Sequence, residues 1–302
     1  MTFTPPPSDD LLLTALAEDL GVSPGAIVAP RPGVRPLLDA DVTSAATVPQ
    51  GTFYGEIVAR ESGVVCGLPL VARVFELLTD ASLTHVECFP VVAEGADVSP
   101  GTRVMEIEGS VRAVLAGERT ALNLLMVLSG IATEARRWQH AAGRSLVVTD
   151  TRKTLPGMRA LSKYAVRVGG AYNHRVGLFD MVLIKDNHIA SAGSITEAVR
   201  AAKRLRPDLL VECEAETAAQ AAEAASAGAD YVLLDNMDDA TLVDAVRVVR
   251  DAAGDRACLT EASGRITFER LPALVATGVD RVSTSALTFA RPLDFGLDLR
   301  EV

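Results

Sequence analysis

Apolar residues recur along this chain in three successive textures, and each predicts a different kind of element. After a short tail, LLLTALAEDLG has helical spacing and is stopped by Gly21, while residues 22–50 are rich in Pro and Gly and read as irregular. From about Gly51 to Ala116 the runs GEIVARES, VVCGLP, THVECFPVVAEG and TRVMEIEG alternate apolar with polar between Gly and Pro turn signals, predicting short strands; one helix, PLVARVFELL, interrupts them. A small sandwich-like domain over 1–116 is the expectation. The texture changes at Gly117. GERTALNLLMVLSGIATEARRWQHAA puts Leu122, Leu125, Met126 and Ser129 on one helical face. Six apolar runs follow, SLVVTD, MVLIKD, LLVECE, DYVLLD, ACLTEAS and DRVSTS, alternating with helical segments and ending near 150, 185, 214, 235, 262 and 284. That is the spacing of βα units over 117–287.

Each run ends in reactive side chains: Asp150-Thr151-Arg152-Lys153, Lys185-Asp186, Glu214, Asp235-Asn236, Glu261 and Ser263-Gly264. Parallel β/α barrels carry their sites at the C-terminal ends of their strands, and open doubly wound sheets share that polarity. No GxGxxG follows the first strand and no Walker-type loop is present. An α/β chain with an irregular β/α barrel is therefore expected.

Charge changes the picture next. The chain carries a formal charge of -10 and a pI near 5.0, which argues against nucleic acid as a partner. Yet the 29 residues from Thr151 to Phe179 hold four Arg, two Lys and one His, with no Asp or Glu. Positive charge concentrated inside an anionic protein suits a small, multiply charged anion. The four cysteines, Cys66, Cys88, Cys213 and Cys258, have no metal-ligand spacing and read as reduced core residues. No hydrophobic run is expected to span a membrane, MTFTPPPSDD does not read as a signal peptide, and a cytoplasmic setting is expected.

Within the cationic block, Arg152 and Arg175 each stand beside a second cation, Lys153 and His174, and adjacent like charges repel unless an anion bridges them. Arg119, outside the block, offers a third planar fork, whereas Arg159 and Arg167 read as surface solubilisers. Lys185, Glu214 and Asp235 close successive apolar runs. They suit either a structural lysine–carboxylate network or a site for a Mg²⁺-bound phosphate ester of a polyhydroxylated sugar. His188 reads as a loop residue, His174 as a site candidate.

The block DTRKTLPGMRALSKYAVRVGGAYNHRVGLFDMVLIKDNHI closely resembles the signature of the quinolinate phosphoribosyltransferase family. The likeness extends through EDL, ARESGVVCGL, GERTALNLLMVLSGIAT, VECEAET, GADYVLLDNM, EASG, TGVDRVSTSALT and LDFGLDL. It implies a homodimer, or a higher assembly built on it, with the arginine matching Arg119 entering the partner's site. It implies an N-terminal sandwich-like domain joined by the C-terminal segment 288–302, and a barrel. It also implies phosphoribosyl transfer from phosphoribosyl pyrophosphate to quinolinate with decarboxylation, in NAD biosynthesis.

By the same resemblance Arg119, Thr151, Arg152, Lys153, His174 and Arg175 would hold quinolinate. Lys153, Lys185, Glu214 and Asp235 would carry the catalysis. Glu214 and Asp235 would hold Mg²⁺ through water, and Ser263, Gly264, Arg265, Thr284 and Ser285 would receive the 5′-phosphate. Three positions depart from the family pattern: Arg265 after EASG where Gly or Asn is usual, Ser285 where Gly is usual, and Tyr172 where a smaller or basic residue is common. A phosphoribosyltransferase-like protein of molybdenum uptake, a Schiff-base aldolase using Lys185 and a non-catalytic binding protein are the rival readings.

Overall fold

A computed structural model describes residues 3–28, 37–82 and 84–299, which divide into two compact units. The first takes in the chain to Thr133, the stretch Ala160–Gly169 and everything from Ala290; the second holds Glu134–Arg159 and Gly170–Phe289.

In the first unit, α1 (Asp9–Leu20) buries Leu12, Leu13, Leu16 and Leu20 and stops at Gly21, whose φ of 62° ends it in the left-handed region. Where described, the stretch expected to be irregular is largely helical: α2 (Pro24–Val28), a 3₁₀ turn at Leu37–Ala40 and α3 (Val42–Thr47). Positions 29–36 of it lie outside the described residues. Such short helices depend on caps rather than periodicity; the Asp41 carboxylate accepts the Thr43 and Ser44 amides, both at 3.1 Å, to start α3.

The strands follow as β1 (Thr52–Ala59) and β2 (Gly63–Val64), then β3 (Val86–Pro90), β4 (Asp97–Val98) and β5 (Arg103–Ser110) after α4 (Leu68–Ser82). β1, β5 and β3 pair antiparallel in that order, with Phe53, Ile57, Met105 and Ile107 buried. α4 buries Val71, Val74, Phe75 and Leu78.

The long helix α5 (Val111–Ala142) begins upstream of Gly117, which lies inside it. A Cβ at Gly117 would meet Leu78 at 2.7 Å and Phe75 at 2.8 Å, so close packing, not a chain break, requires the glycine. α5 also amends the membrane expectation: it is long and apolar enough to cross a bilayer, but 67% of its most apolar window is buried in the fold. It is a core helix.

The second unit alternates β6 (Val147–Thr149), β7 (Val182–Ile184), β8 (Val211–Ala215), β9 (Tyr231–Asp235), β10 (Leu259–Ser263) and β11 (Arg281–Ser283) with helices. The helices are α6 (Arg159–Val168, mostly assigned to the first unit), α7 (Asp186–Ala192), α8 (Ile195–Leu205), α9 (Ala218–Ala227), α10 (Asp239–Ala253) and α11 (Leu271–Thr277). All six expected strands form one parallel sheet, in the order β6-β11-β10-β9-β8-β7. β12 (Phe295–Leu299) returns to the first unit and pairs with β1.

The sheet is curled. Arg281 in β11 reaches Glu212 in β8 at 2.8 Å, although β9 and β10 lie between them. At about 4.8 Å per strand a flat sheet would hold those two backbones roughly 14 Å apart. The face outside the curl is apolar and buried through Val148, Cys213, Val232, Leu234, Ala262 and Val282. The inside face carries the polar residues, so the enclosed side is where chemistry can occur.

Candidate active site

Side chains alternate across a strand with period two, and this sorts the inside face into layers. Parallel register sets Glu212 level with Tyr231, Leu233 level with Glu214 and Glu261, and Glu261 level with Arg281. Two residues further along the strands, Asp235 pairs with Ser263, and Ser283 with Thr149. Glu212, Glu261 and Arg281 thus each lie one inward position beneath a strand-end residue, respectively Glu214, Ser263 and Ser283. These three form a stepped rim with Lys185 and Asp235, Glu214 standing at the level of Glu261.

At the rim, Lys185 follows Ile184, which pairs with Cys213, so the lysine stands level with Glu214. Its Nζ donates to Glu214 Oε2 at 2.8 Å. His188 is a cap residue: its Nδ1 accepts the Lys185 amide at 2.9 Å and starts α7. Asp235 Oδ2 accepts from the Asn236 side chain. Glu214 and Asp235 end neighbouring strands on one face and keep further oxygens, the hard donors a hydrated Mg²⁺ prefers.

The arginines differ from Lys185 and Glu214, which pair with each other. Arg152 and Arg175 are half-buried, and their Nε atoms have no hydrogen-bond partner; neither forms an ion pair among the described residues. Arg175 gives one N–H to the Met181 carbonyl at 3.3 Å. Burial, then the like charge of Arg152, holds Arg175 below the ordinary guanidinium range. Arg159, read as a surface residue, also has a buried Nε without a partner and reaches the Val176 carbonyl at 3.4 Å. Lys153 is exposed, its amide donating to Thr151 Oγ1 at 3.0 Å and its carbonyl accepting Thr288 Oγ1 at 2.7 Å.

Beneath them His174, expected to touch substrate, is buried with its ring turned inward. Nε2 lies 2.9 Å from Glu212 and 3.5 Å from Glu261, and Nδ1 accepts the Arg175 amide at 2.7 Å. The His174 amide donates to Asp150 Oδ1 at 2.9 Å. Burial alone would lower the imidazole pKa, but Glu212 and then Glu261 outweigh it and push it up to about 9. A doubly protonated ring conflicts with the Arg175 amide, which needs a lone pair on Nδ1. The contact decides: the neutral ring with its proton on Nε2 meets both sets of neighbours at once. Against a burial that would raise it, the His174 contact and then the Arg281 charge hold Glu261 below the usual carboxylate range.

On the loop after β10, Gly264 has a φ of 86°, and a Cβ there would meet Asn236 Oδ1 at 2.3 Å, so only glycine fits. Arg265 is left-handed at φ 49° and Asn236 at 55°. With Arg270, these residues line a cleft of about 580 Å³. Arg270 is paired with Asp239 at 2.7 Å, whereas Arg265 has no ion-pair partner among the described residues. Thr284 is buried and its amide donates to the Thr149 carbonyl at 3.1 Å; Ser285 has no left-handed backbone. Tyr172 bridges Thr149 by its backbone and leaves its side chain exposed. Arg119 belongs to the first unit, exposed, with Glu118 3.8 Å away.

Glu212 and Arg281 were not identified from the sequence, and Glu261 was read only as a strand end. The available signal was period two: each stands two residues before a rim side chain.

Similarity to known proteins is extensive. The family model "Quinolinate phosphoribosyl transferase, N-terminal domain" matches residues 41–129, and its C-terminal counterpart matches 131–298. A probable nicotinate-nucleotide pyrophosphorylase (carboxylating) of Synechocystis is 44% identical over 246 residues, 80% of this chain and 81% of that protein. The Mycobacterium leprae nicotinate-nucleotide pyrophosphorylase (carboxylating) is 40% identical over 265 residues, 86% of this chain and 91% of its own. The crystal structure of NadC from Streptococcus pyogenes superposes with a TM-score of 0.84 at 36% identity, covering 97% of both chains.

Proposed function

We infer the chemistry of the rim from one premise: the chain belongs to the quinolinate phosphoribosyl transferase family. Its reaction is phosphoribosyl transfer from phosphoribosyl pyrophosphate to quinolinate, giving nicotinate mononucleotide, pyrophosphate and CO₂ in de novo NAD biosynthesis. The observation that carries this reading is the pair Arg152 and Arg175, two guanidinium groups close enough to repel, with unfilled N–H donors. Two adjacent carboxylates on a planar ring answer that arrangement with bidentate contacts.

Held there, the pyridine nitrogen attacks the anomeric carbon of the sugar, and the C–O bond to pyrophosphate breaks with its electron pair. The pyridinium so formed accepts the electrons released when the neighbouring carboxylate leaves as CO₂, and a proton replaces it on the ring. Lys185 faces the departing phosphates, while Glu214 and Asp235 take sugar hydroxyls and offset positive charge developing on the ribose. Mg²⁺, held by those two carboxylates through water, would neutralise the leaving pyrophosphate. Gly264, Arg265, Thr284 and Ser285 would receive the 5′-phosphate. The Lys185–Glu214 pair counts against the aldolase reading, since a Schiff-base amine needs a free lone pair.

Arg119, exposed and weakly partnered, supports a homodimer in which it serves the partner's site. Four unpaired cysteines support a reducing, cytoplasmic setting. The test is nicotinate mononucleotide formation from quinolinate with and without Mg²⁺: CO₂ released in step with product is expected, and equal turnover of nicotinate would overturn the reading.

A further inference from the structure

Four ionisable side chains meet beneath the rim, and a metal centre is the first reading they invite. His174, Glu212 and Glu261 offer ligand atoms all within 4.8 Å of one another. Arg281 defeats that reading. It pairs with Glu212 at 2.8 Å and also with Glu261, so a guanidinium already supplies the positive charge a metal would bring. It also lies over the Tyr231 ring, 3.7 Å from its centroid, which fixes its plane.

Stability does not account for the cluster either. Both glutamates are fully buried, and buried ion pairs replaced by apolar groups of similar volume often leave a protein equally or more stable. What the cluster does hold is His174. Its backbone is tied to Asp150, its Nε2 sits between the two carboxylates, and its Nδ1 receives the Arg175 amide. Both ring nitrogens are engaged inside the protein, so the ring directs neither of them to the rim. The Arg175 guanidinium begins one residue away from this anchor.

We infer that His174, framed by Glu212, Glu261 and Arg281, is a positioning residue that fixes the Arg175 backbone so that its guanidinium stands beside Arg152 in carboxylate-binding geometry. This inference rests on the rim being the quinolinate site, and its tests separate the two.

The first test reads the ring directly. In ¹⁵N-labelled protein, with His174 assigned by loss of its signals in His174→Gln, one protonated and one unprotonated ring nitrogen are expected at neutral pH. Two protonated nitrogens would overturn the anchor. The second uses Glu212→Gln, which keeps the shape and removes the charge. The KM for quinolinate should rise about 10- to 100-fold through displacement of the fork, with the KM for phosphoribosyl pyrophosphate unchanged. A folded variant with wild-type quinolinate KM would sink the proposal. Should that variant fail to fold, the triple variant Glu212→Met, Glu261→Met, Arg281→Met strands no charge and should show the same selective rise. If the wild type turns over no quinolinate, the proposed reaction fails, while the ring-nitrogen spectrum still reports on the anchor.

Discussion

The two layers inside the curled sheet treat charge in opposite ways. Beneath, two carboxylates share one guanidinium and flank the Nε2–H of one neutral imidazole, all nearly sealed from water. Above, Arg152 and Arg175 lie close enough to repel, each with an unfilled Nε donor, and Lys185 with Glu214 forms a matched ion pair. A layer whose ionised groups pair with one another inside the chain is architecture. A layer left electrostatically incomplete describes the molecule it is built to receive, here a compact dianion beside a phosphorylated sugar.

The difference predicts opposite responses to losing a charge. Glu212→Ala takes from Arg281 one of its two buried carboxylates and from the His174 Nε2–H its nearer acceptor, and a buried donor left unsatisfied costs about 1–3 kcal/mol. Denaturant unfolding should show a loss of that size. Arg175→Ala removes one of two repelling cations, so unfolding stability should hold or rise. Equal destabilisation by both would erase the distinction between the layers.

Function should move the other way. Arg175→Ala forfeits a bidentate carboxylate contact, and charged hydrogen bonds are worth about 1.5–3 kcal/mol each. At about 1.4 kcal/mol per factor of ten, kcat/KM for quinolinate should fall at least about 100-fold. Phthalate, which keeps both carboxylates but lacks the nucleophilic nitrogen, should lose inhibitory strength in parallel. Retained phthalate inhibition in Arg175→Ala would show that the unfilled donors are not the acceptor site.

The rim was largely legible in the sequence because it sits where apolar runs end, and a Lys, Glu or Asp closing such a run announces itself. Lys185, Glu214 and Asp235 are examples. The buried layer was harder to see. Glu212 is flanked by Val211 and Cys213, and Arg281 opens its strand; only the curl that carries β11 round to β8 brings the two together. No local pattern encodes that contact. The helical pieces α2 and α3 were missed for another reason: their periodicity is too short to read, and α3 is started by the Asp41 side-chain cap. Gly117 looked like a boundary because glycine usually marks one, whereas here it lets α5 approach Phe75 and Leu78.

A smaller effect tests whether the rim is completed by a second subunit. Arg119→Ala and Lys185→Ala should each be nearly inactive alone. Mixed under demonstrated subunit exchange, they should recover part of the activity, because each mixed dimer holds one site with both residues intact. Exchange without recovery would return Arg119 to the role of a surface charge and leave the rim self-sufficient.

The smallest effects lie at the two loops that depart from the family pattern, and the same substitution should act on them with opposite sign. Arg265 holds φ at 49°, a conformation costing a side chain about 1–2 kcal/mol. Arg265→Gly removes that cost but gives the unfolded chain more freedom, worth about 0.4–1 kcal/mol, so a net gain of up to about 1.6 kcal/mol is expected. Ser285 has no left-handed backbone to relieve. Ser285→Gly should therefore only add freedom to the unfolded chain and lose about 0.4–1 kcal/mol. Binding separates the two loops again. Arg265 contributes a guanidinium to its cleft, so its glycine variant should bind phosphoribosyl pyrophosphate more weakly. Ser285 contributes bulk at a loop where glycine would let amides approach a phosphate, so its glycine variant should bind more tightly. Tighter binding by Arg265→Gly would mean that the arginine obstructs the phosphate instead of meeting it, and the unfilled charge at that loop would then need another partner.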